Sequence, residues 1–198
     1  MKNKLIAVIP IRKGSQRVKN KNFKKFSKKN LLIYKIEMLK KIKSINKIII
    51  NTDSDQAIKI AKEKKIDFFK RAKYYASSKC SNSDFWSYVG RTTNSKYILF
   101  TNCTSPLVKE KNYRDIINLF IKNKNKYDSF NTVSLIKDYL YLNKKPLNFK
   151  IGKTPNSQDL PNIFKLNFAI NILPTKLMES KKTLIGKKPY FHLLSDVE

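Results

Sequence analysis

The densest chemistry in the chain follows its first apolar run, where Arg12, Lys13, Gly14, Ser15, Arg17, Lys19, Lys21 and Asn22 crowd into one short stretch. Backbone N–H groups around a glycine turn face phosphate oxygens, and Arg and Lys neutralise the charge that gathers on a leaving pyrophosphate. These residue types suit a nucleoside triphosphate. Taken alone, a basic loop of this kind reads equally as a solvated surface turn. The spacing Gly-x-x-x-x-Gly-Lys-Ser/Thr is absent, which removes the main support for P-loop chemistry.

Other chemistries find few residues to work with. Cys80 and Cys103 are the only cysteines and have no Cys or His companions at metal-ligand spacing, so the sequence offers neither a zinc site nor a disulfide framework, and both read as reduced thiols. His192 is the single histidine. It reads as a surface or half-buried residue, and a Ser-His or Cys-His nucleophilic pair would depend on it alone. The formal net charge of +29 would ordinarily point to nucleic acid or an anionic membrane surface. The lysines, however, are spread along the whole chain among Asn and Ile, a pattern that a biased codon pool produces, and no aromatic-interleaved nucleic-acid signature such as that of the RRM is present. Nucleic acid is therefore not the expected partner. No apolar run is long enough to span a bilayer, and the stretch before Arg12 is too short for a signal peptide, so a cytoplasmic location is expected.

The elements that must position the loop can be read from periodicity. Leu5–Ile9, Ile45–Asn51 and Tyr97–Thr101 are short apolar runs that end in polar residues, as buried parallel strands do. Helical spacing lies between them, with Leu31, Tyr34, Ile36, Leu39 and Ile42 in one segment and Ala57, Ile58 and Ala61 in another. A strand at Ile66–Phe69, a helix around Phe85–Val89, a helix from Asn112 to Ile121 and strands at Asp128–Ile136, Leu166–Leu173 and Tyr190–Leu194 complete the series. This alternation predicts a single α/β domain over residues 1–198 with a doubly wound, mostly parallel sheet, in which ligands bind at the carboxyl ends of the strands. Residues 137–157 are rich in Lys, Asn, Tyr and Pro without a sustained period and read as an excursion from the sheet.

The ordered motifs carry a resemblance. Ile9-Pro-Ile-Arg-Lys-Gly-Ser-Gln-Arg-Val-Lys-Asn-Lys-Asn22 is similar to the Pro-Ala-Arg-Gly-Gly-Ser-Lys-Arg-x-x-x-Lys-Asn fingerprint of the acylneuraminate cytidylyltransferases. Asn51-Thr-Asp-Ser-Asp55, Lys70-Arg71-Ala72 with Ala76-Ser77, Asn102-Cys-Thr-Ser-Pro-Leu107, Ser157-Gln-Asp-Leu-Pro161 and Leu166-Asn-Phe-Ala-Ile-Asn171 resemble later segments of that family in the same order. The likeness runs essentially from end to end.

The resemblance implies a Rossmann-like nucleotide-diphospho-sugar transferase fold and transfer of CMP from CTP to a nine-carbon, sialic-acid-like 2-keto sugar acid. An eight-carbon keto sugar acid and a non-catalytic nucleotide- or polyanion-binding role are the alternatives. It further implies that Arg12, Gly14, Ser15, Lys21 and Asn22 hold the CTP phosphates and ribose, with Arg12 and Lys21 screening the departing pyrophosphate. Arg71 and Ser81 would lie along the nucleotide, Asn102 and Thr104 would face the sugar, and Gln158, Lys165 and Asn167 would hold its carboxylate and hydroxyls. Asn167 also reads as a structural hydrogen-bonding residue. Asp53 and Ser54 read either as caps of the next helix or as ligand contacts and are left outside the site. Tyr139 and Tyr141 read as packing or dimer contacts rather than sugar platforms, and the resemblance implies a homodimer through the excursion 137–157, as in relatives. Magnesium is the expected ion. Gly186–Phe191 and Ser195–Glu198 resemble the run that precedes an Asp-x-Asp metal pair in relatives, and the pair itself does not follow; Asp196 and Glu198 match residues before it and inherit no metal role. Lys165 stands where many relatives carry Arg, exchanging a bidentate fork for a point charge.

Overall fold

A computed structural model describes residues 4–14 and 18–195. In chain order the elements are β1 (Leu5–Ile11), the small hairpin β2 (Lys25–Phe26) and β3 (Lys29–Asn30), α1 (Leu31–Lys40), β4 (Lys47–Thr52), α2 (Asp55–Glu63), β5 (Asp67–Lys70), α3 (Lys73–Ala76), α4 (Asn82–Thr92), β6 (Tyr97–Phe100) and α5 (Glu110–Asn123). They continue with β7 (Ser129–Ile136), the hairpin β8 (Tyr141–Leu142) and β9 (Lys145–Pro146), β10 (Ile163–Pro174), α6 (Thr175–Lys181) and β11 (Pro189–Leu193).

Seven strands form one sheet in the order β11-β7-β10-β6-β1-β4-β5. β1 pairs in parallel with β4 and β6, β5 in parallel with β4, and β11 in parallel with β7, whereas β10 is antiparallel to both its neighbours. The expected mostly parallel α/β sheet is therefore present, with one reversed strand. β1 lies in the interior of the sheet, next to the central β6, and is apolar on both faces because helices cover both. Its alternate residues separate into two cores: Ala7, Ile9 and Ile11 pack with α1, α2 and α5, and Ile6 and Val8 pack with α4 and α6.

α6 was not expected from the periodicity. It lies on α4 at close range, since a Cβ added to Gly90 would meet the Glu179 backbone nitrogen at 2.7 Å and the Thr175 carbonyl oxygen at 2.9 Å. The excursion 137–157 carries the β8–β9 hairpin, in which Leu142 and Tyr141 are largely exposed, and an isolated Lys150–Lys153 bridge.

The chain order places β4 on one side of β1 and β6 on the other. That reversal is a topological switch point, and it opens a crevice beyond the carboxyl ends of β1 and β6.

Candidate active site

A cleft of about 560 Å³ occupies this crevice. The end of β1 contributes Pro10 and Arg12, the short 3₁₀ turn after it contributes Lys21 and Asn22, and the end of β6 contributes Phe100, Asn102, Cys103 and Thr104. The opposite wall comes from Arg71, Tyr75, Ser77 and Cys80 with Asn82, Phe85 and Trp86 of α4, and Phe168 and Leu184 close the far end. Every charge in this lining is positive. Among the described residues no Asp or Glu lines it.

Arg71 is the most firmly built of the cations. It is buried at the end of β5, its Nε donating to Asn51 Oδ1 and its Nη2 to the Asn51 carbonyl oxygen, both at 2.8 Å. Its guanidinium lies over the Phe85 ring, 4.3 Å from the centroid. Burial lowers its pKa to about 10, offset in part by Asp53, so it stays cationic at neutral pH. The backbone of the loop after β1 is tied down by Asp53, whose Oδ1 accepts from the Lys13 N–H at 2.8 Å. Gly14 adopts a left-handed φ of +73°, which favours glycine, and borders a smaller hollow beside Arg12 and Asn20.

Behind the cleft runs a buried polar relay. Lys35 Nζ donates to the Ser105 carbonyl at 3.2 Å and to Tyr113 Oη at 2.6 Å. Tyr113 Oη lies 2.7 Å from Thr101 Oγ1, which donates to the Ala169 carbonyl at 2.7 Å. The Cys103 thiol donates to Asn22 Oδ1 at 3.3 Å. Burial lowers the Lys35 pKa to about 8, raises Cys103 to about 12 and moves the Tyr113 hydroxyl upward as well. This relay fixes the backbone on which Asn102 and Thr104 stand.

The residues expected from the sequence divide into three groups. Arg12, Lys21, Asn22, Arg71, Asn102 and Thr104 come together in the one cleft, and Gly14 lines the smaller hollow that shares Arg12 with it. Ser81, Gln158, Lys165 and Asn167 do not line it. The Ser81 hydroxyl caps α4, accepting from the Asp84 N–H at 3.0 Å and donating to Asp84 Oδ2 at 2.9 Å. Gln158 is exposed, and its carbonyl accepts from Lys137 Nζ at 3.1 Å. Lys165 is exposed on β10, opposite Ser134. Asn167 uses both ends of its amide, with Oδ1 accepting from Thr132 Oγ1 and the Ala169 N–H while Nδ2 donates to Ser134 Oγ. Ser15, Arg17, Asp196 and Glu198 lie outside the described residues. Ser54 caps α2 through the Ala57 N–H, and Tyr139 and Tyr141 both pack edge-on against Phe149.

Cleft residues that motif reading missed are Tyr75, Trp86 and Phe168, aromatic positions that periodicity assigns to packing. A cap signal, Ser81 three residues before Asp84, was available for α4 and would have moved its start back from Phe85. Magnesium, which the resemblance implies, finds no ligand set. The cleft lining has no Asp or Glu, and no group of three or more His, Cys, Asp or Glu suited to a metal exists among the described residues. They do not fit a protein-held ion.

Residues 6–164 match the profile of the family described as Cytidylyltransferase. The chain belongs to the cytidylyltransferase family. Among its relatives, the N-acylneuraminate cytidylyltransferase of Escherichia coli O18:K1:H7 is 39% identical over 43% of this chain and 20% of its own length. A Helicobacter pylori protein named pseudaminic acid cytidylyltransferase and UDP-2,4-diacetamido-2,4,6-trideoxy-beta-L-altropyranose hydrolase is 26% identical over 80% of this chain and 32% of its own. The matches thus span less than a third of either relative, whereas the flagellin modification protein B of Campylobacter coli is matched over 87% of its length at 23% identity. A solved CMP:2-keto-3-deoxy-manno-octonic acid synthetase complexed with CTP superposes with a TM-score of 0.70 at 12% identity, covering 96% of this chain and 90% of that one. This likeness establishes the nucleotidyltransferase fold of the cytidylyltransferase chain. No helix among the described residues is long and apolar enough to cross a membrane.

Proposed function

We propose that the chain transfers CMP from CTP to the anomeric hydroxyl of a nine-carbon 2-keto sugar acid, releasing pyrophosphate. The observation that carries this reading is the cleft at the sheet's switch point, whose charged lining residues are all cationic, with Arg12 and Lys21 on one wall and Arg71 on the other. Both substrates are anions. Such a site attracts them, and its fixed cations offset the repulsion of the two anions for each other.

In the reaction the sugar oxygen bonds to the α-phosphorus as the bond from that phosphorus to the β-phosphate's bridging oxygen breaks. The hydroxyl proton passes to solvent water, and the leaving pyrophosphate takes the electron pair of the broken P–O bond. Arg12 and Lys21 neutralise the charge building on the phosphates, Asn22 and the Gly14 backbone orient them, and Arg71 holds the nucleotide wall. Asn102 and Thr104 present polar groups to the acceptor. Ser15 and Ser81 belong to the nucleotide side in this reading, and Gln158, Lys165 and Asn167 to the acceptor's approach. The active form is a homodimer joined through residues 137–157.

The test is pyrophosphate release and CMP-sugar formation from CTP and Mg²⁺ with a panel of nine-carbon keto acids and the eight-carbon one, using ATP and UTP as controls. CMP-sugar formed with a nine-carbon acid is the expected result. Preference for the eight-carbon acid would shift the substrate, and no CTP binding at all would sink the proposal. In the active protein Lys21→Ala lowers kcat about 100-fold or more, the usual effect of removing one transition-state charge partner.

A further inference from the structure

Phe168 has a backbone φ of 55°. A bulky side chain in this left-handed region is an outlier that persists only where its surroundings impose it. Here they do. Phe168 sits in the irregular part of β10, where the register shifts between Leu166 and Asn171. Its carbonyl accepts from Asn102 Nδ2 at 3.4 Å and from Asn171 Nδ2 at 3.3 Å. The Ala169 N–H donates to Asn167 Oδ1, the Ala169 carbonyl accepts from Thr101 Oγ1, and the Ile170 N–H donates to Thr132 Oγ1. With its hydrogen-bonding groups so fully engaged, the bulge has one geometry.

That geometry brings the Phe168 ring to the cleft beside Trp86, with centroids 6.1 Å apart and planes inclined by 31°. Both residues are half-buried, and Phe100 and Leu184 extend the apolar surface next to them. The cleft is therefore divided in character, cationic along Arg12 and Lys21 and aromatic at Trp86 and Phe168. A strained backbone is a poor way to fill a core and an effective way to aim a ring into a site.

We infer that Trp86 and Phe168 form an aromatic shelf that binds an apolar substituent of the acceptor sugar, a terminal methyl or the methyl of an acyl group, and so selects among acidic sugars. The inference rests on the transfer reading above. The shelf belongs to the acceptor rather than the base because Asn102, which the proposed function assigns to the acceptor, holds the Phe168 carbonyl through its amide, while Arg71, assigned to the nucleotide wall, lies over Phe85. Apolar pockets discriminate a single methyl by about 10- to 200-fold, which sets the size of effect to seek.

Trp86 is the only tryptophan, so its emission reports on the shelf. Titration with a nine-carbon keto acid ending in a methyl, in the presence of CTP, is expected to change that emission saturably. Its counterpart ending in a hydroxymethyl binds more weakly. Phe168→Ala, and Phe168→Gly as a second variant that relieves the backbone, are both expected to weaken the methyl-bearing acid by about tenfold or more and to leave CTP affinity, measured by calorimetry, within about twofold. Unchanged selectivity in these variants, or no saturable change in the wild type, overturns the shelf. A tenfold loss of CTP affinity assigns the rings to the base and overturns it too. Absence of CTP binding in the wild type strikes the transfer reading itself, and acid titrations then decide the shelf separately.

Discussion

Lys35 is wholly buried in the apolar stripe of α1, where Leu32, Ile36 and Leu39 occupy the neighbouring positions. Its charge is tolerated because Tyr113 Oη and the Ser105 carbonyl accept from it, but the desolvation is only partly offset, and its pKa falls from 10.5 to about 8. An unfolded chain holds this proton up to the ordinary value, so between pH 8 and 10.5 the unfolded state binds more protons and stability contributed by this site rises with pH. The whole penalty, about 3 kcal/mol at roughly 1.4 kcal/mol per pH unit, is present below that window and relieved across it. The facing thiol of Cys103 and hydroxyl of Tyr113 act oppositely, since their raised pKa values cost stability once the unfolded groups ionise. Comparing wild type with Lys35→Met cancels most of those contributions. Urea unfolding from pH 7 to 10.5 is expected to show a wild-type-minus-variant difference that is flat at first and climbs above pH 8. Parallel profiles would refute the buried-charge account. Hydropathy alone could not place Lys35 in the core, because the partner that makes its burial tolerable lies 78 residues away.

Among the elements, α4 links stability to the site. It carries Phe85 and Trp86 on its cleft side and crosses α6 at Gly90, where any Cβ would collide with the Glu179 and Thr175 backbone rather than with a side chain that can turn away. Gly90→Ala must therefore separate the helices. Overpacking of this kind costs about 1–3 kcal/mol, a fall in Tm of very roughly 2–12 °C for a domain this size. A melting curve within a degree of wild type would show that the crossing gives way freely. The same crossing marks how far the elements were legible in the sequence. β1, β4 and β6 are apolar runs of strand length, and their reading as buried strands matches the sheet to within two residues at each end. α6 escaped notice because a seven-residue helix with only Leu177 and Met178 as apolar members shows no period. The reversed sense of β10 is equally silent, since its part next to β6, buried throughout from Ala169 to Leu173, has the same pattern in either direction. Arg12, Lys21, Asn22, Arg71, Asn102 and Thr104 could be named from ordered motifs, whereas the aromatic shelf depends on a backbone irregularity that no motif encodes.

At the scale of the whole molecule, charge and apolar surface oppose each other. The excursion leaves Ile151 80%, Leu142 60% and Tyr141 59% exposed, a cluster that a second copy of the chain would cover in the proposed dimer. Each chain brings a formal charge of +29, and two such chains repel. The acidic side chains near the hairpin cannot reverse this, with Asp138 alone against Lys137, Lys144, Lys145, Lys150 and Lys153 between positions 137 and 157. Burial of apolar surface survives added salt, whereas repulsion between exposed charges is screened, with a Debye length of about 10 Å at 0.1 M falling to about 3 Å at 1 M. Dimerisation is therefore expected to tighten severalfold as salt rises from about 0.05 M to about 0.5 M, the opposite of an interface held by ion pairs. Sedimentation equilibrium across that range checks the sign. Leu142→Lys with Tyr141→Lys would replace the apolar contact by further like charge and yield monomers at every salt concentration, while the cleft, built from other elements, keeps its proposed affinity for CTP. A dimer that weakens with salt, or one that survives the double substitution, would move the interface away from the excursion.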